Sequence, residues 1–206
     1  MSLYEKYVLP KFLNCACGSR PIERQREKVV PLAEGKVLEI GIGSGLNIPF
    51  YDKSKIVEVW GLDPSDALSE MAKKVALNES LDINFISSGA EEIPLPDNHF
   101  DTVLITYTMC TIPEVLRAND EIRRVLKSEG KMIFCEHGVA PDENVRKWQN
   151  RINPFWGMLA GGCNINRDIP SLIEDSGFDI IELEEMYLPK TPKIAGYNYW
   201  GYAVAK

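Results

Sequence analysis

Short, almost wholly apolar runs alternate with amphipathic stretches along most of this chain, and the alternation predicts strands and helices in turn. Residues 37–40, 57–62, 83–86, 100–107 and 130–135 read as strands. The run 100–107 is apolar at nearly every position, the mark of a strand covered on both faces. Helical spacing runs from Pro21 to about Leu32, from Ser65 through Leu77, from Pro113 to Leu126 and over 169–176. Pro21 suits a first helical turn, Ser65 an N-cap, and Glu129-Gly130 and Gly177 helix exits. Residues 3–14 also carry helical spacing, interrupted by Pro10, and lead into a turn over 14–19. Residues 47–51 read as a short helical return. Across 141–168 the rhythm breaks, in a stretch with Pro154, two tryptophans and a Gly161-Gly162 turn. Two last strands, 180–187 and 197–204, flank a loop with Pro189, Pro192 and Lys193. This pattern predicts an α/β fold: a parallel sheet with helices on both faces. Residues 1–34 precede it as a helical cap, and 35–206 form one domain.

Composition narrows the class. A length of 206 residues suits one domain with a three-layer core, and leaves no room for separate dinucleotide and catalytic halves. The net charge of −7 argues against a nucleic-acid substrate, whose phosphates need a basic surface. No run of about 18 apolar residues occurs, and the N-terminus shows no secretory h-region. Cys15, Cys17, Cys110, Cys135 and Cys163 are odd in number and scattered, as cytosolic thiols are. Cys15 and Cys17 read as thiols at a helix end, and with His99 and His137 the only histidines, no metal centre is expected. Localisation therefore reads as cytoplasmic. Peripheral membrane contact through the first helix would be weak, since Glu5, Lys6 and Lys11 make no strongly basic face.

The chemistry enters where the first strand ends, in Gly41-Ile42-Gly43-Ser44-Gly45. Glycines at alternate positions let a backbone turn sharply and approach a ligand more closely than any Cβ allows. The second strand ends in Asp63, whose carboxylate can accept two hydrogen bonds from a ribose diol. Loop and acid together point to a bound adenosine. The third glycine of a dinucleotide fingerprint would fall on Leu46, and no Gly-Lys-Ser/Thr follows, so neither that site nor a P-loop fits. Glu39, two residues before Gly41, is a poor neighbour for a pyrophosphate and a good one for a cation. S-adenosylmethionine carries a sulfonium and an ammonium and has no phosphate.

The run Val37-Leu38-Glu39-Ile40-Gly41-Ile42-Gly43-Ser44-Gly45 resembles the first motif of the class I S-adenosylmethionine-dependent methyltransferases. Gly89-Ala90-Glu91, Ile93-Pro94-Leu95 and Phe100-Asp101 are similar to a segment shared by quinone and lipid methyltransferases. Arg123-Arg124-Val125-Leu126-Lys127 with Gly130-Lys131 matches a further motif, Ser128 and Glu129 replacing its proline and first glycine. Glu136-His137, Trp148, Asn153-Pro154, Trp156, Gly162-Cys163-Asn164 and Arg167 resemble the thiol-methyltransferase-like group, whose mammalian members are membrane-anchored by an apolar N-terminus not seen here. The resemblance runs from Gly35 onward. It implies a Rossmann-like, doubly wound, seven-stranded sheet, mostly parallel with an antiparallel last strand. It also implies S-adenosyl-L-methionine as cofactor, leaving as S-adenosyl-L-homocysteine. The acceptor is then a small molecule or lipid: a thiol, a quinone-like ring or a lipid amine, with a phospholipid head group as the alternative. Rival readings are a non-catalytic S-adenosylmethionine-binding protein and an oxidoreductase.

On this reading Gly41, Gly43, Gly45, Asn47, Asp63, Pro64, Ser65, Ala90, Glu91, Thr106 and Tyr107 surround the cofactor, with Thr108 near its methionine part. Glu39 either meets the cationic end or orders the turn, and Tyr107 either lines the site or belongs to the core. His137 or Glu136 is placed to take a proton from a thiol, against a structural role for a lone histidine. Cys163 has no base beside it in sequence and reads as packing. Asn164 and Arg167 either fix a polar acceptor group or cap the next helix. Trp148, Phe155, Trp156 and Met158 either wall an apolar acceptor pocket or form plain core. Tyr4 and Tyr7 would lie over the site if the first helix is a lid.

Overall fold

The computed structural model describes Leu9, Asn14 and residues 16–206. The Pro10 kink, the Tyr4 and Tyr7 lid and Cys15 fall outside these residues. The elements are α1 (Arg20–Val29), β1 (Gly35–Ile40), β2 (Ile56–Leu62), α2 (Asp66–Glu79), β3 (Ile83–Ile86), β4 (Phe100–Thr106), α3 (Val115–Val125), β5 (Leu126–His137), α4 (Glu143–Leu159), α5 (Ile169–Asp175), β6 (Phe178–Tyr187), α6 (Lys193–Gly196) and β7 (Tyr197–Ala205).

The strands form one sheet in the order β3-β2-β1-β4-β5-β7-β6. Pairings among β1 to β5 are parallel, and β7 runs antiparallel between β5 and β6. The strand order reverses between β1 and β4, and such a switch opens a crevice at the strands' C-terminal ends.

Successive strand residues face opposite sides, and two buried layers follow from that. Leu38, Ile40, Val103, Ile105, Met132 and Phe134 pack with Ile122 of α3 and Ile169 of α5. Val37, Leu104 and Ile133 pack on the other face with Val29, Val30 and Ala72. The residues just before β1 are therefore built into the core, with no break in packing at position 34.

Two stretches differ from the sequence reading. Residues 143–159, where no element was expected, form the 17-residue helix α4 with Pro154 inside it. A proline in a helix lacks its N–H and clashes with the preceding turn. Here tertiary contacts override that cost, with Gln149 fully buried as the staple. Its Oε1 accepts from Ala140 N, and its Nε2 donates to the carbonyls of Gly138, Ile165 and Ile194. Helix α3 also stops one residue early, at Val125: Leu126 already pairs with Phe100, and the register slips before Lys131 meets Thr102.

Candidate active site

The chain leaves β1 through a loop tied to the tip of β2: Gly41 N and Ile42 N both donate to the Leu62 carbonyl, at 2.7 and 3.2 Å. Gly41, Gly43 and Gly45 have φ of +68°, +55° and +83°. A Cβ on Gly41 would lie 2.4 Å from the Thr108 side chain, and one on Gly45 3.0 Å from Ala72 Cα. On Gly43 the nearest atom would be 3.8 Å away, so that side of the loop is open. There a cavity of about 710 Å³ begins. Of the residues the sequence reading set around the cofactor, its walls bring together Glu39, Gly41, Gly43, Asp63, Pro64, Ser65, Ala90, Glu91, Thr106 and Tyr107. Gly45 lines an adjoining hollow instead, and Asn47 is buried beneath the loop.

Asp63 uses both oxygens on the backbone, accepting from Gly43 N at 2.9 Å and Ser65 N at 2.8 Å. Burial pushes its carboxyl up, against the pull of those two N–H groups. Each oxygen keeps a lone pair for a further donor.

Below the loop lies a buried polar network. Glu39 accepts from Tyr51 Oη at 2.6 Å and from Asn47 Nδ2 at 2.9 Å. Burial raises Glu39 to about 7, while the Tyr51 bond, the Arg26 charge and the Asn47 bond hold it down. Asn47 Nδ2 also reaches Thr106 Oγ1 at 2.9 Å. Arg26 closes the network from α1, donating through Nη1 to Asn47 Oδ1 and to Thr106 Oγ1 at 2.7 Å. Its guanidinium sits 5.2 Å over the Tyr107 ring, and its buried Nε has no partner among the described residues. Arg26 lines the cavity, yet nothing in its sequence neighbourhood marks it out; only the fold carries α1 to the loop.

Tyr107 takes a positive φ of 53° just past β4, a strained conformation for a bulky residue. The loop that follows is pinned from three directions. Fully buried Glu136 accepts from Thr108 N at 2.7 Å and Met109 N at 3.0 Å. Arg167 donates to the Met109 carbonyl, and Asn164 N and Nδ2 donate to that of Cys110 at 2.8 and 3.1 Å. Both bonds use Glu136 Oε1; Oε2 is buried with no hydrogen-bond partner among the described residues. Arg167 and Asn164 serve the same loop, and Asp168 caps the next helix by accepting from Ser171 N.

His137 Nε2 lies 3.4 Å from Cys163 Sγ. The sequence shows no base beside Cys163; the fold supplies one from the tip of β5. The Cys110 thiol, burial and the His137 contact act on Cys163, and the net result holds its thiol low, at about 4. None of Trp148, Trp156, Cys163, Asn164 and Arg167 lines the cofactor cavity. Trp148, Phe155 and Met158 point outward from α4, 57, 71 and 78 % exposed, because the helix buries its Gln149 face. They form neither an acceptor wall nor core. Trp156 packs against Cys110, Ala160, Cys163 and Ile165.

A family model described as a methyltransferase domain matches residues 38–134. Thiol S-methyltransferase TMT1B of Homo sapiens is 30% identical over 175 residues, spanning 80% of this chain and 71% of that protein. Phosphatidylethanolamine N-methyltransferase of Cereibacter sphaeroides is 32% identical over 136 residues, 65% of this chain and 66% of that one. The solved PH0226 protein of Pyrococcus horikoshii OT3 superposes with a TM-score of 0.72 at 19% identity, covering 100% of both chains.

The chain belongs to the class I S-adenosylmethionine-dependent methyltransferases. Its cofactor is S-adenosylmethionine. The methyl donor is therefore already activated as a sulfonium. A methyltransferase of this kind accelerates transfer by aligning acceptor, methyl and sulfur and excluding water. Among the described residues no helix is long and apolar enough to cross a membrane.

Proposed function

We propose that this methyltransferase alkylates a small lipophilic thiol. Asp63 takes the ribose diol, the Gly43 side of the loop faces the methionine part, and Arg26, the cation of the cavity wall, takes the cofactor carboxylate. Ala90 and Glu91 border the adenine. The observation that carries the acceptor reading is the makeup of the cavity beyond the donor. Leu9, Leu46, Ile112, Pro113 and Gly161 line it there, and Arg26 is its only cation among the described residues. With Arg26 used by the donor, no cation among the described residues remains for a lipid phosphate. An apolar cavity also favours the charge balance of thiol methylation. A thiolate and a sulfonium become two neutral thioethers, so poor solvation raises the reactants more than the transition state. The thiol S-methyltransferase among the relatives points the same way.

The test supplies labelled S-adenosylmethionine with a soluble aryl or alkyl thiol, a demethylated quinone, or phosphatidylethanolamine vesicles. Methyl transfer to the thiol without vesicles or detergent is the expected result. Transfer to vesicles alone would overturn the thiol reading in favour of a phospholipid head group.

A further inference from the structure

Three side chains from separate stretches of the chain meet behind the wall of the cavity. Cys110 lies in the loop after β4, His137 at the tip of β5 and Cys163 in the glycine turn after α4. Their two sulfurs and one imidazole nitrogen all lie within 4.8 Å of one another. Zinc held at about 2.3 Å from sulfur and about 2.0 Å from nitrogen in a tetrahedron sets a sulfur and a nitrogen about 3.5 Å apart. The Cys163 Sγ to His137 Nε2 distance of 3.4 Å matches one edge of that tetrahedron.

We propose that Cys110, His137 and Cys163 form a binding site for a thiophilic divalent cation, with Zn(II) the best match. Two thiolates and an imidazole select soft or borderline metals over hard ones. Two thiolates, a neutral imidazole and a divalent cation sum to zero charge, the condition under which a charged cluster tolerates burial. The backbone segments that carry the two cysteines are also fixed in place before any ion arrives, while His137 Nδ1 is buried with no hydrogen-bond partner among the described residues. Asn164 ties the Cys163 turn to the Cys110 carbonyl. Asn153 Nδ2 donates to Asn164 Oδ1 at 2.9 Å, and Asn153 Oδ1 accepts from Ile165 N at 2.9 Å. Arg167 and Glu136 hold Met109 next to Cys110. Such outer partners orient a metal's ligands.

Three protein ligands leave a four-coordinate zinc one position for water, the composition of catalytic zinc sites. None of the three ligands lines the cavity, so the ion would tie the loop after β4 to the turn after α4, and Thr111, next to Cys110, would carry that support to the cavity wall.

The test uses the full chain, reduced, stripped of metal and titrated with Zn(II) against a chromophoric chelator, then with Co(II) followed by absorption. One equivalent should bind, and Co(II) should give tetrahedral visible bands and a thiolate charge-transfer band. Cys110→Ala and Cys163→Ala should each lose more than the roughly 10–100-fold that a missing outer partner costs. Cys17→Ala, whose thiol lies outside the cluster, should bind as the parent does. Retained S-adenosylmethionine binding by calorimetry shows that each variant is folded. A parent chain that yields all its zinc to the chelator, or binding that survives Cys163→Ala, overturns the site. If no thiol is methylated while zinc still binds, the acceptor reading fails and the metal site stands.

Discussion

Asp63 and Arg26 carry opposite charges into one cavity, and only one of them was legible in the sequence. Asp63 closes the first strand after the glycine loop, and a local pattern of that kind is readable. Arg26 sits in a helix among other cations, and its meeting with Asn47 and Thr106 depends on α1 crossing the sheet. The same holds for Cys110, His137 and Cys163, which only the adjacency of β4 and β5 and the turn after α4 bring together. Replacing Arg26 with Gln removes a charge-assisted contact of about 1.5–3 kcal/mol, so affinity for S-adenosylmethionine should fall about 10- to 150-fold. Methylthioadenosine has no carboxylate and should bind the variant nearly as well as the parent. Equal losses for both ligands, read by calorimetry, would mean that Arg26 only supports the loop. Glu39 sets a pH dependence. Its folded carboxyl, at about 7, stands above its ordinary 4.5. Between those values the folded chain binds a proton that the unfolded chain lacks, so this group's contribution to stability falls as pH rises through the window. The midpoint of thermal unfolding should therefore drop more steeply from pH 5 to 7.5 in the parent than in Glu39→Gln. A cationic cofactor favours the ionised form, so binding near pH 6.5 should release a proton. Calorimetry in two buffers of different ionisation enthalpy measures it, and Glu39→Gln should abolish most of it.

At the scale of elements, the glycine loop does two jobs that separate cleanly by position. Gly41 is a packing glycine: a Cβ there meets Thr108, and its φ is left-handed. Gly41→Ala should cost about 2–5 kcal/mol of stability, from overpacking and backbone strain combined. Gly43 faces open space with a similar φ. Its alanine variant should lose about 1–2 kcal/mol of stability from the backbone alone. The added methyl enters the cavity, so cofactor affinity should suffer more than folding does. Denaturant unfolding and cofactor calorimetry on the two variants should rank them in opposite orders; the same order in both would mean that Gly43 does not face the ligand. The strands and α2 were legible because apolar periodicity and the Ser65 cap agree, and the Ser65 hydroxyl does accept from Leu68 N. Helix α4 was not. Pro154 and the tryptophans disguise its period, and what holds it in place is Gln149, whose four hydrogen bonds, three of them buried, run to residues outside the helix.

At the scale of the whole molecule, the strand order and the antiparallel β7 follow the family pattern, while the boundary drawn at residue 34 meets a different physics. Val29, Val30 and Ala33 are completely buried and share one layer with Val37, Leu104 and Ile133. Helical spacing before a first strand reads as a cap, since sequence does not say which face of a sheet a helix covers. Burying each valine stabilises by about 1.5–3 kcal/mol, so the pair contributes roughly 3–6 kcal/mol. A domain of this size is stable by only about 5–15 kcal/mol. A chain cut to residues 35–206 would expose Val37 and its neighbours and would also remove Arg26 from the cavity. It should unfold without a cooperative transition, bind a dye for exposed apolar surface and show no cofactor binding. Adding residues 1–34 back as a separate peptide should restore little, because the packed helix then carries the entropy cost of association. A truncated chain that melts cooperatively and binds S-adenosylmethionine would instead make residues 1–34 a true appendage, and the Arg26 role would fall with it.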